Sequence, residues 1–430
     1  MKTLYPYQLV GAQYLVDTDK AILGDPMGLG KTVQVVEACK RDPSIQRVLV
    51  ICPASLTINW RREFDDHHPA FAGQLTIVSY DKARTGVEAL YGQIWDVVVC
   101  DEAHYLKNRD AKRTIAAFFI ARRAHRMWLL TGTPMPNNPS ELWTLLRATR
   151  PDLIPSPKTG KPMSFWQFRD KFCHIVNNGF GEEIRGGRNL DELSRIMAQA
   201  MLRRSKEEVL DLPALAVGRT YVEAKISKEL RALEAEFGPE IYAAIRRLEA
   251  GDETAMKELA PHVAQLRRVI GMTKAPAVAA LVADLLEGSD GDNPIIVFAH
   301  HTEVVATIAE ALRAKGVSVC TVTGASSITQ RQEAVDGFQS GKYDVFVGNI
   351  IAAGVGITLT RSCYEIFAEE DWTPSNNEQA MMRAHRIGQT RSVTVQFATL
   401  ANSIDEAIQA AVARKAADIT AVITNAERAQ

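Results

Sequence analysis

Twice along this chain, apolar stretches of strand length alternate with amphipathic stretches of helix length, the pattern that a parallel α/β sheet requires. In the first half the strand candidates are Lys20–Leu23, Arg47–Cys52, Leu75–Ser79, Asp96–Cys100 and Met127–Leu130. From about Asn293 the pattern restarts, with Pro294–Ala299, Val317–Val322, Tyr343–Val347, Tyr364–Ala368 and Val393–Ala398. The expectation is an α/β protein with two parallel-sheet lobes, residues 1–150 and 276–430, the second ending in a C-terminal helix. A helical insertion rooted on both lobes is expected over 151–275. Within it, 151–188 reads as loops and short helices. Glu192–Val209 and Lys228–Val269 carry apolar positions at helical spacing.

With 430 residues, 46% apolar and 23% charged, the chain can bury large cores. No apolar run approaches the roughly 20 residues that span a bilayer, and the opening MKTLYPYQ has no signal-peptide core. The reading is a protein without a membrane partner, monomeric in solution, and cytoplasmic, or nuclear in a host that has a nucleus. The six cysteines (Cys39, Cys52, Cys100, Cys173, Cys320 and Cys363) form no CxxC pair, so reduced core thiols are favoured over zinc or disulfides. A net charge of −1 gives no global attraction to a polyanion, so any nucleic-acid surface must be a local groove.

The segment GDPMGLGKT at 24–32 follows a short strand and opens a helical run. Gly28 and Gly30 let backbone amides approach phosphate, and the helix N-terminus favours negative charge. Lys31 is suited to the β- and γ-phosphates of ATP and Thr32 to Mg²⁺. At 97–108, VVVCDEAHYLKN delivers Asp101 and Glu102 to a strand end. There one carboxylate can hold Mg²⁺ and the next can polarise a water; the plain alternative is a pair of solvated turn acids. In QAMMRAHRIGQ at 379–389, Arg383 and Arg386 stand three residues apart and would face one way on a helix. Such guanidinium groups suit a γ-phosphate; the alternative is a solvated basic helix. His300–His301 has no carboxylate or cysteine at metal spacing and reads as a polar strand-end pair.

In order, these segments resemble the helicase motifs of the Swi/Snf-type ATPases of helicase superfamily two, nearest in flavour to the annealing-helicase branch. The resemblance runs from Gln8 to Gln389, through VFAHH, DEAHYLKN, FAEEDWTP and RAHRIGQTRSV. It implies two RecA-like lobes. It assigns adenine reading to Gln8, places Asp25 at the start of the phosphate loop, and adds Gly356 and Gln379 to the nucleotide set. It implies phosphodiester contact or coupling by Ser55, Asn59, Ser79, Lys107, Thr131, Thr133, Thr358, Thr360 and Trp372. An exposed helix-start glutamine would explain Gln8, and a helix cap would explain Ser55. The chain departs from the family pattern at Pro26 (usually glutamate), Thr373 (asparagine) and Met382 (aspartate). Two basic clusters, Arg122-Arg123-His125-Arg126 and Arg203-Arg204-Ser205-Lys206, read as solvated faces or DNA contacts, the second also as a brace for the lobes.

The implied function is an ATP-dependent translocase on double-stranded DNA that hydrolyses ATP between its lobes without stably separating strands, with a protein partner possible for targeting. Two alternatives stay open: a strand-separating DNA or RNA helicase, and an ATP-gated DNA clamp with little turnover.

Overall fold

The computed structural model describes residues 4–135, 138–177, 182–249, 260–288, 293–354 and 356–410. It divides into two compact units, one ending at Leu210 and one beginning at Asp211. The C-terminal helix expected near the end of the chain falls largely on 411–430, outside the described residues.

In chain order the first unit comprises α1 (Pro6–Asp17), β1 (Lys20–Leu23), α2 (Lys31–Arg41), β2 (Arg47–Cys52), α3 (Thr57–His67), β3 (Gln74–Ser79), α4 (Tyr80–Thr85), α5 (Val87–Tyr91), β4 (Val97–Asp101), α6 (Lys112–Ala121) and β5 (Arg126–Leu130). It continues through α7 (Leu142–Thr149), α8 (Phe165–Phe172), the hairpin β6 (Cys173–Asn177) and β7 (Glu182–Gly187), α9 (Leu190–Ala200), β8 (Met201–Leu202) and α10 (Lys206–Val209). Its main sheet runs β3-β2-β4-β5-β1-β8, every pair parallel. Helices cover both faces, which is why a central strand such as β4 is buried at every position.

The stretch expected as one helix, Glu192–Val209, is interrupted. Met201–Leu202 leaves the helix to pair with Ile22–Leu23 as the sixth strand, and a new helix starts at Lys206 under a capping box between Ser205 and Glu208. That S-x-x-E signature is visible in the sequence and marks the break. The β6–β7 hairpin is likewise a strand pair where loops and short helices were expected.

The second unit comprises β9 (Leu215–Val222), α11 (Lys228–Glu249), α12 (Ala260–Glu287), β10 (Ile295–Ala299), α13 (Thr302–Ala314), β11 (Val319–Val322), α14 (Ile328–Gln339), β12 (Val345–Asn349), α15 (Ile350–Ala353), β13 (Tyr364–Phe367), α16 (Pro374–Met381) and β14 (Val393–Leu400). Its sheet, β11-β12-β10-β13-β14-β9, is also wholly parallel. The sequence expectation of no bilayer-length apolar run is corrected by α12. Pro261–Glu287 is long and apolar enough to cross a membrane, with a mean hydropathy of 1.6 over its best window. It is apolar on several sides because it serves two cores. Val263, Leu266, Val269 and Ile270 pack with α11, while Ala275, Val278, Ala279 and Val282 pack under the sheet.

Candidate nucleotide site

The loop between β1 and α2 is shaped by two left-handed glycines, Gly28 (φ 90°) and Gly30 (φ 71°). A Cβ on Gly30 would stand 2.5 Å from Gln8 Nε2, so a side chain there would displace the Gln8 amide as well as strain the left-handed backbone. Gln8 is buried, which excludes the exposed-glutamine reading. Its Oε1 accepts from the Tyr5 amide at 3.0 Å, capping α1, and its Nε2 donates to the Leu29 carbonyl at 3.3 Å. The Tyr7 hydroxyl donates to the same carbonyl at 3.1 Å.

Lys31, the first residue of α2, donates through Nζ to the backbone carbonyls of Asp25 (2.7 Å) and Pro26 (3.3 Å). Burial lowers its pKa, opposed by the charges of Glu102, Asp101 and Asp25. Thr32 follows in the first turn of α2, where helix geometry leaves amides without intrahelical partners. Asp25 is fully buried. Its Oδ1 accepts from Arg204 Nε at 3.1 Å, and its Oδ2 accepts from Arg204 Nη2 and, at 3.0 Å, from Gln34 Nε2.

Asp101 closes β4 with only 6% of its surface exposed, so the solvated-acid reading fails for it. The Trp60 indole donates to Oδ2 at 2.8 Å, the Glu102 amide donates to Oδ1 at 2.9 Å, and the Tyr80 hydroxyl donates to the Asp101 carbonyl at 2.8 Å. Burial, then the neighbouring Glu102 charge, pushes the Asp101 carboxyl up to about 6, against the stabilising Trp60 bond. Glu102 has φ 50°, a left-handed conformation that is uncommon for a non-glycine residue and clusters at functional sites. Its carboxylate stands 3.3 Å from His104 Nδ1.

The remaining first-unit candidates follow the C-terminal ends of β2, β3, β4 and β5, the edge where open parallel sheets bind ligands. Ser55 is half-buried in a short 3-10 turn and makes no side-chain cap to α3; the half-buried Asn59 lies on α3 itself. Ser79 caps α4 by accepting from the Lys82 amide at 3.2 Å. Lys107 pairs with Glu141 at 2.9 Å. Thr131 is fully buried and accepts from the Thr133 amide at 3.2 Å. Thr133 Oγ1 is buried without a hydrogen-bond partner among the described residues.

In the second unit, Arg383 and Arg386 do not share a helix. α16 stops at Met381 with Met382 as its C-cap, and both arginines occupy the turns that follow. They still converge, because each donates an Nη1 bond to the Ile357 carbonyl at 3.2 Å. Arg383 Nε also donates to the carbonyl of the buried Gln379 at 2.8 Å. Ile357 lies between Gly356 (φ 78°) and Thr358, so the arginines fasten onto the glycine-threonine turn. Thr360 Oγ1 accepts from Gln339 Nε2 at 3.3 Å. Trp372 packs on the α11–α12 cluster.

His300 and His301 do have carboxylate partners, far away in sequence. The parallel β10–β13 register carries Glu369 and Asp371 beside them, with His300 Nδ1 3.0 Å from Asp371 and His301 Nδ1 2.7 Å from Glu369. The two histidines directly follow β10, so they stand as a polar pair at its end. Sequence reasoning missed Trp60 and Tyr80 as supports of Asp101, although Trp60 is the residue directly after Asn59. It also missed Arg204 as the partner of Asp25.

The chain matches the SNF2-related domain over residues 7–74 and 69–270, and the helicase conserved C-terminal domain over 277–388. It is 30% identical over 423 residues to the SWI/SNF-related matrix-associated actin-dependent regulator of chromatin subfamily A-like protein 1 of Xenopus tropicalis, covering 94% of this chain and 43% of that protein. It is 28% identical over 444 residues to the DNA annealing helicase and endonuclease ZRANB3 of Homo sapiens, covering 96% and 40% respectively. The chain thus spans less than half the length of these two relatives. Among solved structures, the Sulfolobus solfataricus SWI2/SNF2 ATPase core in complex with dsDNA aligns over 98% of this chain and 93% of that chain, with 23% identity and a TM-score of 0.45. The two matched domains take in most of the chain, from the phosphate loop to the paired arginines, and the chain belongs to the SNF2-related family.

Proposed function

We propose that the chain is a DNA-dependent ATPase that translocates along double-stranded DNA and remodels DNA or protein–DNA complexes without stably separating strands. The observation that carries this reading is the first unit's catalytic set. A lysine on neutral carbonyls in a left-handed glycine loop lies within electrostatic reach of two adjacent carboxylates at a strand end. That donor set fits ATP with a divalent cation, because a bound cation offsets both the burial and the Glu102 repulsion that raise Asp101. Thr32 and Asp101 would hold Mg²⁺, which supplies charge neutralisation at the phosphates. Lys31 would leave the Asp25 and Pro26 carbonyls for phosphate, Glu102 would orient the attacking water, and Arg383 and Arg386 would act on the γ-phosphate.

A nucleic-acid backbone as the track is supported by Ser55, Asn59, Ser79 and Lys107, partly exposed hydroxyl, amide and ammonium groups suited to phosphates rather than to base edges, and we propose double-stranded DNA as that track. The names of the relatives, one a DNA annealing helicase, agree with it. Work in DNA repair or fork maintenance, in the cytoplasm or a nucleus and with a targeting protein partner, extends the same reading.

ATP hydrolysis should be measured with single-stranded, duplex and forked DNA and with RNA, beside triplex and strand displacement. Duplex-stimulated turnover with triplex displacement is expected, and Lys31→Ala or Glu102→Gln should abolish it. Efficient unwinding of a fork without triplex displacement would overturn the translocase reading.

A further inference from the structure

The second basic cluster, read from sequence as a solvated face, a DNA contact or a brace, is built into the nucleotide loop. β8 pairs in parallel with β1 in the register Ile22↔Met201 and Leu23↔Leu202. Continued by two residues, that register sets Arg203 beside Gly24 and Arg204 beside Asp25. Arg203 Nη1 donates to the carbonyls of Gly24 (2.7 Å) and Gly132 (3.1 Å), tying the loop to the turn after β5. Arg204 grips both oxygens of Asp25, donates to Gln34 Oε1 at 3.0 Å and to the Tyr7 carbonyl, and lies over the Tyr7 ring.

The loop has an electrostatic problem that this contact solves. Asp25 is a fully buried carboxylate in the same loop as Lys31, and its charge is felt at the ammonium. Left alone, it would take Lys31 as counter-ion, because an unpaired buried carboxylate is costly and the lysine already rests on the Asp25 carbonyl at 2.7 Å. An ion pair there would compete with phosphate. Arg204 and Gln34 instead occupy both carboxylate oxygens, so Lys31 is held by neutral carbonyls, which it exchanges for a phosphate more readily.

We infer that Arg204 is a positioning residue that sequesters the Asp25 carboxylate and so keeps Lys31 available to the phosphates of ATP. The inference rests on the proposed ATP site and adds a residue to it. It also ties the strap that carries Arg203 and Arg204 to the phosphate loop, so disturbing that strap is expected to weaken nucleotide binding.

The test is a double-variant cycle on the full chain, reading ATP KM and kcat with duplex DNA and the affinity for a fluorescent N-methylanthraniloyl-ADP. Arg204→Ala is expected to raise KM and weaken the ADP analogue by roughly tenfold or more, with a smaller change in kcat. Adding Asp25→Asn removes the competing charge and should recover most of that loss. A brace without this electrostatic role predicts the opposite, a double variant no better than Arg204→Ala. Arg204→Gln, which keeps length and polarity, serves if the alanine variant does not melt cooperatively. Unchanged KM in a folded Arg204 variant, or no recovery in the double variant, overturns the inference. Lys31→Ala tests the site separately: if it leaves analogue binding intact, the ATP-site reading itself fails.

Discussion

Trp60 donates its indole N–H to Oδ2 of Asp101 across 2.8 Å, joining α3 to the end of β4. α3 also carries Asn59, a proposed phosphodiester contact, so a shift of α3 on binding DNA would reach a buried carboxylate. Trp60→Phe keeps the apolar ring against Phe64 and removes one hydrogen bond to a charged group. Such a bond is worth about 1.5–3 kcal/mol. Duplex-stimulated kcat is expected to fall roughly tenfold or more, while nucleotide affinity changes little. Unchanged DNA stimulation in a folded variant would refute the link.

Arg383 and Arg386 share the Ile357 carbonyl but differ in burial, Arg383 being 6% exposed and Arg386 more open. Arg386→Ala is therefore expected to lower kcat by about 10³-fold or more with the melting temperature nearly unchanged. Arg383→Ala removes a buried guanidinium that also holds the Gln379 carbonyl, and should lower the melting temperature as well. Melting curves beside steady-state kinetics separate the two roles, and equal stability losses would contradict the division.

Gly11 of α1 stands so close to the Asp25 network that a Cβ there would lie 1.7 Å from Gln34 Oε1 and 2.9 Å from Arg204 Nη2. Gly11→Ala must displace the Gln34 amide. A loss of about 1–3 kcal/mol in chemical denaturation is expected, with a higher KM for ATP. A neutral or stabilising effect, as helix propensity alone would give, would show that α1 does not pack as described.

Glu365 of β13 is wholly buried, and burial pushes its carboxyl well above the usual carboxylate range, with the Arg383 charge opposing. The unfolded chain releases this proton above about pH 4.3, while the folded protein retains it. The folded state then binds more protons, so the stability contributed by this group is complete below the unfolded pKa and is lost as pH rises toward the folded one. The slope approaches about 1.4 kcal/mol per pH unit for one proton. Glu365→Gln should flatten that part of the pH dependence of melting and be the more stable protein at pH 8. Parallel pH profiles for the two proteins would refute the assignment.

The ten sheet strands read from the sequence were legible because most are short apolar runs buried on both faces, the edge strand β3 being only half-buried, and their boundaries differ by at most two residues from those observed. Met201–Leu202 was not legible in this way. Two residues are too few to show a period, and they follow the amphipathic α9 directly. The phosphate loop, Asp101 and Glu102 could be placed because local strand–turn context specifies them. Trp60, Arg204, Glu369 and Asp371 could not, since their partners are fixed by strand register and helix packing across dozens of residues. The convergence of Arg383 and Arg386 was expected for the wrong reason, a shared helix, when a turn onto Ile357 produces it.

The edge strands have a consequence in time. Five strands of the first sheet exist once Leu130 has been made, but the place beside β1 stays open until Leu202. A nascent chain at that stage has Lys31, and not yet Arg204, as the counter-charge within reach of Asp25. In the second unit the order is reversed. β9 is made before the five other strands and pairs along Leu215–Val222 with β14, which is made last, so it waits unpaired until Leu400 emerges. Such long-range pairing slows folding and exposes an edge meanwhile. Both six-stranded sheets are thus completed by their last-made strand, β8 by filling an open edge and β14 by capturing a strand made first.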